Sequence, residues 1–436
     1  LTPAVNGRVL AVTAGLSWLT GILFGLAPAL HATRGNLVPG LKEPRIGRTS
    51  RSAGVSRALM AGQFALGLII LVAAGLFLQT LARLESIPLG FNPENVLTFR
   101  LDASQAGHPA PDVAGFYNRL RAGLSGIPGV RGASLSELAP LGGRMATGVR
   151  TATKSQASLI LRVGANFHST MGVPILSGRE IGDRDMTGAP RAAVVNQAFV
   201  QTFFNGGNPL GQQVTLKNDC GCTLEIVGVS ADMLMGNNVR TRRGPELFYP
   251  FQGAGTIEGM SFELRTDGDP LAYASAVREL VREADPHLPI SELRTERALV
   301  DGTLNREMVF ARLCTAFAVL ALLIACVGLY GTMSYHVARR TSEIGVRMTL
   351  GAPRRAVLWM VLRQVIAIAA GGLLIGIPAA LLSSTLIASF LYGVEPRDPA
   401  TLWLAAMSLL TAAALAGFLP ARQASRIDPV IALRHE

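Results

Sequence analysis

Charge is scarce in this sequence. Only 16% of its 436 residues are Asp, Glu, Lys or Arg, against about 25% in an ordinary soluble domain, so the chain needs an apolar medium or a very large core. With 49% hydrophobic residues it is also too apolar for low-complexity disorder. Four cysteines are too few for a disulfide scaffold. The six histidines stand singly, with no His-x-x-x-His pair, and no Gly-x-Ser-x-Gly elbow occurs, so no zinc-protease or hydrolase signature is present. Nor is there a Gly-x-x-x-x-Gly-Lys-[Ser/Thr] phosphate loop, which leaves the chain without a Walker-type ATPase motif. No catalytic set, metal-ligand cluster or cofactor-binding fingerprint is legible.

What charge there is has a telling distribution. The net charge is +11, which taken alone would suggest a nucleic-acid partner. Between Pro88 and Asn305, however, 20 basic residues face 21 acidic ones, while the rest of the chain has 20 basic and 8 acidic residues. The surplus borders long apolar runs, the pattern of positive-inside membrane topology rather than of a phosphate-binding surface.

Five segments are apolar enough to cross a bilayer, which takes roughly 20 residues: Val9–Leu30, Leu59–Ala82, Leu313–Met333, Val365–Val394 and Thr401–Leu419. Gly371, Gly372, Gly376 and Pro378 suggest a kinked or re-entrant fourth passage. Cys314 and Cys326 lie within the third run and read as small core residues. Arg34, Lys42, Arg45, Arg48, Arg51 and Arg57 follow the first span. Arg339, Arg340, Arg347, Arg354, Arg355 and Arg363 follow the third, and Arg422, Arg426 and Arg434 the fifth. Single passages put all three clusters on one side, the cytoplasmic one, with the long neutral block outside.

The ends of the first and last spans repeat one another. Gly25-Leu-Ala-Pro-Ala-Leu-His-Ala-Thr-Arg34 matches Gly417-Phe-Leu-Pro-Ala-Arg-Gln-Ala-Ser-Arg426, and Leu41-Lys42 matches Leu433-Arg434. In each copy proline is placed to end or kink the helix, and a basic amphipathic tail follows at the headgroups. The expected organisation is the last helix of one module (1–34), a basic cytoplasmic linker (35–58), a membrane helix (59–82), an external domain (83–305) and a three-helix membrane domain (306–436). The absence of an initial Met fits part of a longer polypeptide.

The external block reads as mixed α/β. Strands are expected at Val96–Leu101, Arg131–Leu138, Ser158–Val163, Ala192–Asn196, Gln212–Leu216, Leu224–Val229 and Phe262–Arg265, with an extended run after Ile290. Helices are expected at Val113–Leu124, Ala198–Phe204 and Leu271–Ala284. Of the histidines only His108, His168 and His287 fall here. Asp183 and Asp185 beside Arg184 invite a metal or hydrolase reading, but a solvated polar loop accounts for them better. Cys220 and Cys222, one glycine apart in a hairpin turn, lack the further ligands a metal would need.

The most informative short segment is cytoplasmic: Arg339-Arg-Thr-Ser-Glu-Ile-Gly-Val-Arg-Met-Thr-Leu-Gly-Ala-Pro353. Ser342 is placed to cap a helix whose positive end favours Glu343. Ile344, Val346, Met348 and Leu350 supply apolar contacts, and Gly351 and Pro353 end the element. Such an amphipathic stretch either lies in the membrane interface or inserts into a groove on a cytoplasmic partner.

These motifs resemble those of the permease family typified by MacB and FtsX, an α-helical integral membrane fold whose large α/β extracytoplasmic domain follows the first helix of a four-helix module. The similarity rests on Val327-Gly-Leu-Tyr-Gly331 with Arg340–Ala352, on Gly417–Leu433, and on the external motifs Met171–Arg179, Val195-Asn196, Asn208-Pro-Leu-Gly211 and Ile226-Val-Gly-Val229. The duplicated layout is similar to that of the long ATPase-free permeases of acidobacteria. The resemblance implies an inner-membrane efflux permease for drugs, peptides or similar compounds, with its large domain in the periplasm. ATP would be bound by a separate ABC ATPase subunit and no cofactor by this chain, with membrane lipid around it and no nucleic acid. A periplasmic adaptor, an outer-membrane channel, and a second permease module or an internal duplicate complete the expected partners. It also implies a coupling loop, 339–357, with Glu343 and Arg347 as coupling residues, Ile344 and Met348 as their packed neighbours, and Gly328 and Gly331 at a helix contact. The alternatives are a non-transporting regulator of a periplasmic enzyme and an uncoupled membrane-anchored scaffold or sensor.

Overall fold

The computed structural model describes residues 49–425 apart from 105, 108–109, 188–190, 218–220, 253–258 and 351–352, together with residues 11, 14, 15 and 18. The Val9–Leu30 span, the Gly25–Arg34 copy of the repeat, His108 and Cys220 therefore lie wholly or mainly outside the described residues. The chain divides into two compact units, Leu1–Ala58 and Leu59–Glu436; the sheet and the helix bundle belong to the second.

Four described helices are long and apolar enough to cross a membrane. The first, α1 (Thr49–Glu85), begins inside the expected linker, ahead of the apolar run. After the external domain come α7 (Asn305–Arg339), α9 (Arg354–Leu386) and α10 (Pro399–Ala424). Val327, Leu374, Leu386 and Leu404 are all at least 70% exposed, which in water would form an untenable apolar belt and in lipid is the expected outer surface. The inner surface of the bundle is closed by Met60, Phe64, Leu329, Met333, Val365, Ile368, Leu409 and Ala413.

The glycine-rich fourth passage is not re-entrant: α9 is one continuous helix that carries Pro378 inside it. Its glycines serve close approach instead. A Cβ on Gly372 would lie 2.5 Å from Phe64 Cβ, and one on Gly376 would lie 3.0 Å from Ala65 Cα. The Gly372-Leu-Leu-Ile-Gly376 spacing thus brings α1 and α9 together at backbone distance. Proline does not end the last helix either, since α10 runs through Pro420 to Ala424.

Among the described residues the external domain is a mixed sheet of 11 strands with helices packed on it. Strands β11 (Ser291–Thr295), β1 (Val96–Leu101), β10 (Met260–Thr266) and β2 (Val130–Ser136) pair antiparallel in that order. Beyond them β4 (Ser155–Val163), β3 (Met145–Arg150), β7 (Gln213–Leu216), β8 (Thr223–Ser230), β6 (Arg191–Asn196) and β9 (Glu246–Pro250) follow one another. A parallel β4–β9 pairing closes these six into a ring. The side strand β5 (Ile175–Gly178) pairs with β8. Helices α2 (Ala110–Ser125), α3 (Phe167–Met171), α5 (Ala274–Ala284) and α6 (Glu296–Thr303) belong to the open half, and α4 (Gln197–Phe204) to the ring.

Strand alternation separates two cores. On β6, Ala193 and Val195 face the ring core while Val194 faces the larger one; on β9, Leu247 and Tyr249 face the ring core and Phe248 the other. One residue of register would exchange every such pair. The external motifs prove to be crossing points of backbone. Gly178 has φ +72° and its Cβ would meet Val227 O at 2.2 Å, while a Cβ on Gly228 would meet Arg179 O at 2.1 Å; only glycine fits either position. Asn196 caps α4 by accepting from the Phe199 N–H at 2.9 Å, and also accepts from the Glu246 N–H at 2.9 Å.

Of the aspartates after β5, Asp183 is exposed as a solvated polar loop would have it, whereas Asp185 is buried. Asp185 is 9% exposed and takes both donors of Arg179, at 2.6 and 2.8 Å, plus the Gly182 N–H at 2.9 Å. Asp183 pairs with Arg121. Arg179 supplies the cationic partner that offsets the burial of Asp185, and among the described residues no group of three or more His, Cys, Asp and Glu could hold a metal ion. Cys222 is disulfide-bonded, whereas Cys314 and Cys326 are free and half-buried in α7.

Candidate coupling site

On the face opposite the external domain, α7 ends at Arg339, and after one non-helical residue, Arg340, the chain re-enters helix as α8 (Thr341–Thr349). Thr341 ties the break by placing its hydroxyl 2.9 Å from Ala338 O and 3.2 Å from Val337 O, the latter also accepting from the Arg340 N–H at 3.1 Å. Arg340 holds the cap position; Ser342 is inside the first turn rather than at the expected cap.

The helix has two faces with different duties. Ile344, 2% exposed, packs with Val357 and Val361 of α9 and Ala421 and Ala424 of α10, and Met348 lies half-buried against the same cluster. Residues four apart share a helix face, so this pair forms the inward stripe. Burying an isoleucine is worth about 2 kcal/mol, enough to hold a nine-residue helix that would not persist alone. Val346 and Leu350, expected to contribute packing, point away: they are 43% and 81% exposed.

Glu343 and Arg347 lie beside the inward stripe. Arg347 Nη2 donates to Glu343 Oε1 at 2.7 Å, and Arg347 Nη1 reaches Met360 Sδ on α9 at 3.1 Å. Arg340 Nε stands 3.9 Å from Glu343 Oε2. Both side chains of the Glu343–Arg347 pair are about half exposed, so the pair stabilises the helix by only a few tenths of a kcal/mol. Its place is better suited to contact with something outside the chain. The result is a short, stiff strut, anchored on two membrane helices and showing an outward surface of one ion pair and two apolar side chains.

The two glycines expected at a helix contact differ. A Cβ on Gly328 would lie 3.2 Å from Gln63 Oε1 of α1, whereas one on Gly331 would meet nothing within 4 Å. The tight crossings lie elsewhere, at Gly372 and Gly376, at Gly75 against Thr401, and at Gly417 against Val365. The Gly-x-x-x-Gly spacing of α9 was the available signal, though the same residues also read as a kinked or re-entrant passage.

Comparison with known proteins follows the same division of the chain. Residues 58–280, more than half of the chain, match the family model described as the MacB-like periplasmic core domain, and residues 315–429 match the FtsX-like permease C-terminal model. The pyoverdine export ATP-binding/permease protein PvdT of Pseudomonas syringae pv. tomato is 26% identical over 305 residues, covering 68% of this chain and 46% of that protein. The macrolide export ATP-binding/permease protein MacB 2 of Aeromonas hydrophila subsp. hydrophila is 24% identical over 321 residues, covering 72% and 48%. The chain thus spans about half the length of the curated relatives it matches. Among solved structures, the periplasmic region of MacB from Actinobacillus actinomycetemcomitans aligns with a TM-score of 0.34 and 14% identity, over 50% of this chain and 95% of that one.

Proposed function

Because the chain belongs to the family of permeases that join a MacB-like periplasmic core domain to an FtsX-like permease domain, we propose that it is the membrane subunit of an ABC-type export system. In this reading it works as a transmitter. A separate ATPase subunit docks on the outward face of α8, its nucleotide-driven movement shifts α9 and α10, and the shift reaches the external domain. The observation that carries the reading is the α8 strut itself. Ile344 and Met348 fix it to the bases of two membrane helices, while Glu343, Arg347, Val346 and Leu350 remain available to a partner.

Cargo need not cross the bilayer through this chain. The relatives are named for pyoverdine and macrolide export, and a secreted compound of that kind, or a peptide, is the proposed substrate class. The membrane would be the bacterial inner membrane with the sheet domain in the periplasm, an oxidising compartment in which the Cys222 disulfide would persist. A periplasmic adaptor and an outer-membrane channel would complete an export path, and a second permease module would supply the other half of the bundle.

Affinity purification of the full-length protein from native membranes, with mass spectrometry of what accompanies it, tests this. A stoichiometric ABC ATPase is expected, and it should be lost when Glu343→Ala and Met348→Asp are combined. A wall hydrolase accompanying the ATPase would redirect the reading to regulation of a periplasmic enzyme. Reproducible absence of any ATPase from a folded protein would replace it with an uncoupled scaffold or sensor.

A further inference from the structure

Besides the chain connections at α1 and α7, the external domain meets the bundle through an irregular loop, residues 231–245, between β8 and β9. Its inner part is core: Met233, Leu234, Met235 and Val239 are all buried. The Leu234 N–H donates to Leu89 O at 2.7 Å, and the Gly236 N–H donates to Pro140 O at 3.0 Å. Arg243 donates to Pro88 O. The loop is therefore pressed on the chain leaving α1, so closely that a Cβ on Gly90, whose φ is +80°, would lie 2.1 Å from Asp232 O.

Arg240 carries the loop to the other membrane helices. Its Nη2 lies 3.1 Å from Glu307 Oε1 at the outer end of α7 and 3.1 Å from Phe390 O just beyond α9. Its guanidinium also sits over the Tyr392 ring, 5.8 Å from the centroid. The Arg240 and Glu307 side chains are 23% and 11% exposed; removing Glu307 would leave Arg240 largely dehydrated without its carboxylate, while removing Arg240 would leave Glu307 only the more exposed Arg306, 3.2 Å away. Around the contact Phe310 stacks on Phe77 of α1 at 5.9 Å and approaches Phe390 at 6.3 Å, joining the outer ends of α1, α7 and α9. A planar guanidinium satisfies a carboxylate, a carbonyl and a ring face together, which an ammonium cannot.

We propose that Arg240 is the positioning residue through which movement of the bundle's outer ends reaches the external domain, with the 231–245 loop as the rigid link. This rests on the mechanical reading above, and it names where the motion is handed over, a place far from α8.

The test uses the full chain in complex with the ATPase recovered from native membranes. Spin labels at Arg278→Cys on α5 and Arg397→Cys before α10, in a chain also carrying Cys314→Ser and Cys326→Ala, report the distance between the external domain and the bundle with and without ATP and magnesium. The parent should show a nucleotide-dependent shift. Arg240→Gln should reduce it severalfold while the complex still forms and hydrolyses ATP. Arg240→Lys, which keeps the charge opposite Glu307, should retain an intermediate shift. Glu307→Gln should reproduce the Arg240→Gln defect, and the two together should add nothing, the non-additivity of groups acting as one unit; Glu307→Gln alone gives the reading if Arg240→Gln fails to fold. A full shift in the Arg240→Gln and Glu307→Gln chains overturns the proposal. Absence of a shift in a parent complex that contains the ATPase overturns the mechanical reading and this inference with it, whereas failure to recover an ATPase marks the earlier step as the one that failed.

Discussion

His168 lies wholly inside the external domain, edge-on to Phe248 at 4.7 Å and to Phe167 at 5.7 Å, with neither ring nitrogen bonded. Burial pushes its pKa down to about 3. As pH falls below the unfolded value of about 6.5, the unfolded chain takes up a proton that the folded one refuses, so the stability His168 contributes at neutral pH is lost on the acid side. Glu296, buried with no bonded oxygen, has the opposite sign: burial raises its pKa to about 7. Its contribution is intact below the unfolded value and is lost as pH rises towards 7, by at most about 3 kcal/mol. His168→Leu should flatten the acid limb of thermal stability, and Glu296→Gln should raise stability on the alkaline limb. Circular-dichroism melts of the full chain across roughly pH 4 to 8 check both. Glu263, which accepts from Ser136 Oγ at 2.6 Å, is also raised by burial, so Glu296→Gln should shorten the alkaline limb rather than abolish it. An unchanged profile in both variants would show that neither group titrates across unfolding.

At the scale of elements, the α1–α9 crossing depends on the absence of side chains. Gly372→Leu places a branched chain where Phe64 Cβ would be 2.5 Å from the new Cβ, and overpacking of that kind costs about 1–3 kcal/mol or separates the helices. Gly331→Ala, with open space at its Cβ, should leave the melting of the detergent-solubilised protein unchanged or slightly raise it. The α8 helix offers a second contrast. Ile344→Ala should loosen the strut by about 2–4 kcal/mol and increase hydrogen exchange across α8. Leu350→Asp, on an 81% exposed side chain, should leave exchange alone yet lose the ATPase in the pull-down. Equal exchange in both variants would remove the distinction between an anchoring face and a docking face. The helix was readable from its expected Ser342 cap to Leu350, and the family resemblance named Ile344 and Met348 as its packed side chains; the residues alone left Ile344–Met348 and Val346–Leu350 as two equivalent stripes, and only the position of α9 and α10 turns the first inward.

At the scale of the whole molecule, the described basic residues around α8 and at the end of α10 share one end of the bundle with Val337, Val357 and Ala421, while Phe77, Phe310, Phe390 and Asp398 share the other. In intact cells a membrane-impermeant maleimide should label Arg278→Cys and should reach Leu350→Cys only after the membrane is opened; labelling of Leu350→Cys in sealed cells would reverse the topology. Most strands were legible because each is a short β-branched run bounded by turn residues. Missing from that reading were β3, β5 and β9: β3 is a Gly-containing Met145–Arg150 stretch without alternation, β5 is four residues long, and β9 is buried throughout, so none carries a period-two signal.

Local chemistry determined the four membrane helices of the described residues, the insertion of an α/β domain and the presence of a short helix after α7, and it set the expected orientation, because hydropathy, loop charge and turn residues act over a few neighbours and need no knowledge of the fold. Only the tertiary structure decided that six strands close into a ring, that Gly372 and Gly376 are a helix contact, that Asp185 is buried against Arg179, and that Arg240 meets Glu307 and Phe390. Each of these joins residues brought together by packing, and the free energy of such contacts depends on distance in space, which sequence separation does not encode.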